Sequence, residues 1–254
     1  MRDFAKENNI DFWEGKGVCH QIMMENYVCP GELIFGADSH TCSYGALGAF
    51  GTGVGCTDLL YGMVTGKSWV LVPETVKFNL VGKLPEGVYA RDLILTIIGT
   101  IGANGCNYQV MEFTSEGAKT LSISERMVLC NMAVEAGAKT GIFEPDEKAI
   151  EYLEAHGRKP KALFKSDPDA VYAREYTFDL SKIRPVVAKP DFVDNLVPAE
   201  EVRGVKIDEA FLGSCNNGRI EDLRVGASII KGKKVAEKFV SLWFRQARPF
   251  ISRH

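Results

Sequence analysis

The segment GVKIDEAFLGSCNNGRIEDLRVGASIIK, residues 204–231, decides the fold class. Its run Val205–Leu212 is typical of a strand, Gly213–Gly218 of a loop and Arg219–Lys231 of a helix. A strand, a glycine-bounded loop and a helix in this order are half of a β-α-β unit, so the sequence predicts an α/β protein with doubly wound parallel layers. One helix cannot cover both faces of a parallel sheet, and we expect this unit to be only the opening of a domain.

The rest of the chain alternates between strand-like and helical segments. Strands are predicted at Glu32–Phe35 and in two runs of Trp69–Val81, and helices in the first twelve residues and at Cys56–Thr65, Arg91–Gly99, Ser122–Ala136 and Asp146–His156. We expect the strand at Glu32 and the helix at Cys56 to be buried. Ser122 followed by Glu125 is a capping-box signature.

Changes in composition divide the chain into three α/β pieces, residues 1–69, 70–203 and 204–254. Residues 158–204 carry five prolines and are expected to be irregular, with edge strands. After Phe239 the sequence SLWFRQARPFISRH shows neither helical nor strand periodicity. We expect an aberrant tail there, and a third piece with a single strand and a single helix.

Composition excludes several classes of protein. The chain is 46% hydrophobic and 25% charged with a net charge of −3, which is a globular composition without the basic bias of a nucleic-acid binder. No apolar run approaches the roughly 18 residues that span a bilayer, and the N-terminus lacks a secretory pattern. Seven cysteines, an odd number, do not suggest a disulfide framework. We therefore expect a cytoplasmic protein with free thiols, no nucleic-acid partner and no membrane contact.

Polar residues follow the predicted strand at Glu32. Asp38, Ser39 and His40 lie where catalytic groups gather in α/β folds, and His20 adds a second histidine in another glycine-bounded segment. The alternative is a turn whose Asp and Ser bind only backbone. A Ser/His/Asp hydrolase is disfavoured, because neighbours in an extended segment point in opposite directions.

Cys215 lies in the predicted loop between the strand and the helix of residues 204–231. A helix N-terminus nearby would stabilise its thiolate, although a small buried cysteine is the alternative. No C-x-x-C occurs in the chain to complete a metal site. Asn131 and Glu135 are four residues apart and share one helix face, which suggests either site partners or a solvated helix edge.

Four motifs in order resemble the aconitase family over residues 1–239. They are GVCHQ (17–21), FGADSHTCSYGALGAFGTGVGCTD (35–58), CNMAVEAGA (130–138) and GSCNNGRIEDLR (213–224). Within the family the resemblance is strongest to the dehydratases that isomerise 2- and 3-isopropylmalate in leucine biosynthesis, with homoaconitase or a related 2-hydroxy-acid dehydratase as the alternative. It implies aconitase-type α/β/α layers from a three-domain architecture.

The resemblance also implies a hydro-lyase that holds a 4Fe–4S cluster through three cysteines. It makes Cys215 a cluster ligand and places Asn131 and Asn216 beside the cluster. His20, Asp38, His40 and Glu135 would be catalytic, with Glu135 tuning the proton affinity of His40. Ser39 and Arg219 are candidates for contact with a small 2-hydroxy-acid substrate.

The chain departs from the family pattern in two places. Family members begin further upstream, and they continue into a C-x-x-C that supplies the other two cluster ligands and into substrate-binding arginines. Their serine base lies on a swivelling domain, which dehydratases of this type carry on a separate small subunit. We therefore expect an internal fragment that alone holds no stable cluster and has no activity. A cluster-free binding relic is the non-enzymatic alternative.

Overall fold

A computed structural model describes residues 1–234 and 240–246. The α-helices are α1 Arg2–Glu7, α2 Cys19–Asn26, α3 Cys56–Thr65, α4 Ala90–Ile101, α5 Ser115–Thr120, α6 Ile123–Asn131, α7 Glu147–Ala155 and α8 Ile220–Ile230. The strands are β1 Leu33–Gly36, β2 Phe50–Gly53, β3 Thr75–Val81, β4 Val110–Thr114, β5 Thr140–Phe143, β6 Arg174–Asp179, β7 Val186–Ala188, β8 Leu196–Pro198, β9 Glu209–Leu212 and β10 Val240–Trp243. Short 3₁₀ helices are Ser39–Leu47, Met132–Ala136, Leu180–Lys182 and Ala199–Val202.

A four-stranded parallel sheet in the order β5-β4-β3-β6 forms the middle of the molecule. In β3 the apolar residues that alternate in the sequence point into the core: Val76, Phe78 and Leu80 are fully buried, and their neighbours are partly exposed. The Phe78 ring packs against that of Phe113 on β4, with centroids 5.6 Å apart. The prediction of an α/β fold with a parallel sheet is confirmed, and β6 is one of the edge strands expected after residue 158.

Helices α4 and α6 pack against each other, α6 contacts β5, and both helices share the buried core of this sheet. The capping box of α6 is confirmed: Ser122 Oγ accepts from the amide of Glu125, and Glu125 Oε2 accepts from the amide of Ser122 at 2.7 Å. The predicted helix 122–136 is an α-helix to Asn131 that tightens into 3₁₀ geometry. It ends at Gly137, whose φ of 78° is the left-handed conformation that glycine adopts without strain.

The 3₁₀ helix Ser39–Leu47 connects β1 to β2, which are parallel, and is wedged between them, β5 and α6. Its approach to β5 requires glycine, because a Cβ at Gly45 would lie 1.7 Å from the carbonyl oxygen of Gly141. A Cβ at Gly51 would likewise lie 2.3 Å from the Thr41 carbonyl oxygen. The glycine-rich composition of this region therefore serves close backbone packing around the polar residues 38–40.

The C-terminal unit corrects one prediction. β10 pairs in parallel with β9 and follows α8, so the residues after Phe239 complete a β-α-β unit where we expected no strand. All four residues of β10 are exposed, and a strand without a buried face leaves no alternation for the sequence to show. The rest of the predicted aberrant tail, from residue 247 onward, lies outside the described residues.

Two predicted burial patterns and one predicted strand are also wrong. β1 exists but is only half-buried, and Leu33 is 57% exposed. Helix α3 has the predicted bounds but no buried residue, and Val64 is 77% exposed. The first run of Trp69–Val81 forms no strand, and Trp69 is exposed. Apolar composition drives burial only where a partner surface exists, and the described residues supply none to these segments.

None of the described helices combines the length and apolarity that crossing a membrane requires.

Candidate active site

Asp38 is the N-cap of the 3₁₀ helix that follows β1. Its Oδ1 accepts a hydrogen bond from the amide of His40 at 2.8 Å, which fixes the carboxylate at the start of the helix. The expectation of an extended segment is therefore wrong from Ser39 onward, because an aspartate two residues before a free amide favours a cap. The helical turn places His40 on the same side as Asp38.

His20, near the start of α2, faces the same carboxylate. Its Nε2 lies 2.9 Å from Asp38 Oδ1, and its Nδ1 lies 3.3 Å from the hydroxyl of Tyr44. The imidazole is almost completely buried, and this burial lowers the pKa of His20 despite the neighbouring carboxylate. Burial alone would raise the pKa of Asp38, but the His40 amide and the His20 ring outweigh it and lower that pKa. Neutral His20 beside ionised Asp38 is therefore the favoured state near neutral pH.

The pKa of His40 is shifted in the opposite direction to that of His20. Its Nε2 lies 3.7 Å from Glu135 Oε1, close enough for an ion pair. Glu135 raises the pKa of His40, and His40 in turn lowers the pKa of Glu135. Two histidines whose environments push their pKa values apart are suited to separate acid and base roles.

Ser39 does not form a nucleophilic triad with these groups. Its Oγ lies 3.3 Å from His40 Nδ1, and Asp38 Oδ1 lies 3.5 Å from the same nitrogen. A triad needs the serine and the acid on opposite nitrogens of the imidazole. The geometry therefore disfavours a hydrolase for a different reason than the sequence indicated, and it leaves the exposed Ser39 hydroxyl beside His40.

Cys215 lies in the loop between β9 and α8, next to the buried asparagines. Asn131 Nδ2 donates to Cys215 Sγ at 3.5 Å and to Ser43 Oγ at 3.0 Å. Asn216 Nδ2 donates to Asn131 Oδ1 at 3.0 Å. The structure thus brings Asn131 next to Cys215 and Asn216, which follow it by 84 and 85 residues, and Ser43 connects Asn131 to the 3₁₀ helix that carries His40.

Arg219 is buried and hydrogen-bonded within the protein, whereas a free substrate-binding side chain would be exposed. It is the N-cap residue of α8, 5% exposed, and its Nη1 donates to the carbonyl oxygen of Asn216 at 2.7 Å. Burial lowers the pKa of Arg219. In the described residues this side chain braces the Cys215 loop, and its contact with substrate stays a prediction.

Three residues of the site were missed from the sequence. Tyr44 lies four residues after His40 within a motif already singled out, so its position in that motif could have indicated it. Ser43 stands in the same motif. Arg91, whose Nη1 donates to Asn216 Oδ1 at 2.5 Å, lies 125 residues from its partner and carries no local signal.

The described residues do not by themselves make a cluster site. They contain no group of three or more His, Cys, Asp or Glu side chains arranged to hold a metal ion. Cys42 is fully buried, its pKa is raised by burial to about 12, and its Sγ lies 3.4 Å from the carbonyl oxygen of Asn131, the thiol donating to that oxygen. Cys215, by contrast, is partly exposed and accepts a hydrogen bond from the Asn131 amide, which suits its sulfur to ligation.

Comparison with known proteins shows the class to which this fold and site belong. The sequence model of the aconitase family (aconitate hydratase) matches residues 1–203, and the chain belongs to that family. The 3-isopropylmalate dehydratase large subunit of Hydrogenobaculum sp. (strain Y04AAS1) is 53% identical over 238 residues, which are 92% of this chain and 56% of that relative.

Two further relatives show the same extent of similarity. The probable 3-isopropylmalate dehydratase large subunit of Methanothermobacter thermautotrophicus is 51% identical over 240 residues, covering 93% of this chain and 57% of that relative. The 3-isopropylmalate dehydratase large subunit 1 of Pyrococcus furiosus is 52% identical over 241 residues, covering 92% and 57%. The chain thus spans little more than half the length of the curated relatives it matches.

Proposed function

We propose that this chain is the central part of the large subunit of an iron–sulfur hydro-lyase that isomerises 2- and 3-isopropylmalate by dehydration and rehydration, in leucine biosynthesis. The observation that carries the proposal is the array His20–Asp38–His40–Glu135 beside Cys215, in a chain about half identical to large subunits of that name. The names of the relatives favour this substrate over homoaconitate.

The two histidines supply the proton chemistry in this proposal. Glu135 holds a proton on Nε2 of His40, which leaves Nδ1, on the side of the exposed Ser39 hydroxyl, to protonate the departing hydroxyl group. In rehydration the same nitrogen takes a proton back from water. Protonation of the leaving group turns hydroxide into water, so the dehydration balances once a base removes the proton from the neighbouring carbon.

Asp38 and His20 act as a fixed anionic pair. With His20 neutral, its Nε2–H donates to Asp38 Oδ1, and its Nδ1 accepts from the Tyr44 hydroxyl. This arrangement keeps Asp38 ionised and immobile next to His40, whose protonated form it stabilises. We assign the exposed Ser39 hydroxyl to contact with a substrate carboxylate, and we assign Arg219, whose Nη1 donates to the Asn216 carbonyl oxygen, to ordering the Cys215 loop.

The remaining components lie beyond the described residues. In the whole enzyme a 4Fe–4S cluster supplies Lewis-acid activation of the substrate hydroxyl and carboxylate. Cys215 is the one ligand we assign here, with Asn131 and Asn216 beside it. The base that removes the carbon-bound proton is a serine on the swivelling domain of a small subunit. We therefore expect the chain alone to hold no stable cluster and to be inactive.

A chimera tests the proposal. Residues 1–203 replace the matching part of the Pyrococcus furiosus large subunit, which is combined with its small subunit and a reconstituted cluster, and the alkene intermediate is followed by absorbance with 3-isopropylmalate. We expect turnover by the chimera and none by the chain alone. A chimera that holds its cluster and still fails to turn over 3-isopropylmalate contradicts the proposal.

Variants of the chimera test the residue roles. His40→Ala should lower kcat by about 100-fold or more, the contribution typical of a general acid. The matched control is His156→Ala, which removes an exposed histidine outside this array that meets the carbonyl oxygen and the ring of Tyr152. Turnover by His40→Ala within about tenfold of the parent would show that the acid role of His40 is wrong.

A further inference from the structure

A chain of hydrogen bonds leads from Arg91 through Asn216 and Asn131 to Cys215. Which group donates in each bond follows from the chemistry of the groups that contact Asn216. A guanidinium has only donors, so the atom of Asn216 that meets Arg91 Nη1 at 2.5 Å is the amide oxygen Oδ1. The carbonyl oxygen of Val128 has only acceptor capacity, and the Nδ2 of Asn216 donates to it at 3.1 Å. Both contacts select the same orientation of the Asn216 amide.

The orientation of Asn216 determines that of Asn131. The second proton of Asn216 Nδ2 is donated to Asn131 Oδ1 at 3.0 Å, so the Nδ2 of Asn131 faces the other way. It donates to Ser43 Oγ and, at 3.5 Å, to Cys215 Sγ. If the Asn131 amide were reversed, two N–H groups would oppose each other and an amide oxygen would face the sulfur. Both side chains are buried, where such mismatched pairs are costly.

We infer that Arg91 is a positioning residue of this site: it anchors Asn216 so that Asn131 presents an N–H group to the Cys215 sulfur. A donated hydrogen bond stabilises negative charge on sulfur, whatever that sulfur binds. Arg91 is the second residue of α4 and is exposed at the surface, so its side chain joins Val128 and Asn131 of α6 in connecting the middle sheet unit to the Cys215 loop. The inference rests on the proposed function only in making Cys215 a ligand.

Exchange of side-chain amide protons in the chain labelled with ¹⁵N-asparagine and ¹⁵N-isoleucine tests the inference. Asn131→Asp and Asn216→Asp identify the two signals. Arg91→Met should accelerate exchange of the Asn216 amide, and of the Asn131 amide with it, by about tenfold or more, since a charge-assisted hydrogen bond is lost. Arg91→Lys, which keeps one donor, should restore part of the protection.

The matched control is Arg174→Met. This variant removes another exposed arginine, which donates to Gly105 O at 2.5 Å and Gln109 Oε1 at 2.6 Å on the far edge of the sheet. Both asparagine amides should exchange as in the parent. If Arg91→Met proves unstable, Arg91→Gln carries the same comparison with the same expected direction.

Backbone amides of Ile97 and Ile98, in the core of α4, are recorded in the same samples. Equal acceleration of these amides would show that Arg91 only supports folding, and the inference would be wrong. It is also overturned if the two asparagine amides stay within about twofold of the parent. No substrate, cluster or small subunit is present, so failure of the proposed function leaves this result unchanged, and the reverse also holds.

Discussion

Replacing Asp146 by asparagine removes the charge that compensates a buried arginine while the side chain keeps its shape. Arg126 is 1% exposed, and its Nη1 and Nη2 donate to the two oxygens of Asp146 at 2.8 and 2.5 Å. We expect Asp146→Asn to lower the free energy of unfolding by about 3 kcal/mol, because the guanidinium is left buried without a counter-charge. Asp146→Ala should cost about 1 kcal/mol more, because Asp146 Oδ1 also caps α7 by accepting from the amide of Ala149.

The assay is urea unfolding followed by far-UV circular dichroism, repeated from pH 7 into the acid range. Burial alone would raise the pKa of Asp146, but Arg126 outweighs it and the net pKa is lowered. The contribution of the pair is therefore present above the unfolded pKa of about 3.9 and is lost as pH falls through the lower folded pKa. The difference between parent and Asp146→Asn should shrink over that range.

Lys161→Met is the control, because it removes an exposed partner of Glu32 and should cost less than about 1 kcal/mol. The reasoning is refuted if Asp146→Asn unfolds within about 1 kcal/mol of the parent at pH 7. In that case Arg126 must draw its compensation from elsewhere, such as the ring of Phe143, whose centroid is 5.3 Å from the guanidinium carbon.

Two further predictions concern the site and its support. Glu135→Gln should lower the pKa of His40, which is measured from its ring protons by NMR. The stability that the His40–Glu135 pair contributes is fully present below the unfolded histidine pKa of about 6.5, and it is lost as pH rises through the higher folded pKa. An unchanged pKa of His40 would show that Glu135 does not control the protonation of His40. Gly45→Ala should destabilise the chain by about 3 kcal/mol in urea unfolding, because its Cβ would meet the Gly141 carbonyl oxygen. Gly62→Ala on the exposed helix α3 is the control and should be neutral or stabilising by about 0.5 kcal/mol.

Local signals in the sequence were sufficient for much of the fold. The alternation at Val76, Phe78 and Leu80 and the Ser122–Glu125 capping box are encoded within a few residues, and the structure shows both. Such features depend on backbone periodicity and on hydrogen bonds between near neighbours, so no tertiary information is needed to predict them. The candidate residues of the site were likewise marked by unusual polarity at strand and helix ends, such as Asp38 and Cys215.

Other features depended on contacts that no local pattern encodes. α3 is as apolar as a core helix yet is exposed, because burial depends on a partner surface rather than on the helix itself. β10 forms because β9 offers it an unpaired edge.

The sequence by itself therefore determined most of the helices and strands and marked most of the polar residues that the structure brings together. Only the tertiary structure decided how those residues act on one another: that burial keeps His20 neutral while Glu135 favours protonated His40, and that Arg91 reaches Asn216 across 125 residues. The reason is physical. Proton affinities and the direction of hydrogen bonds depend on distance and burial in three dimensions, and sequence separation carries neither.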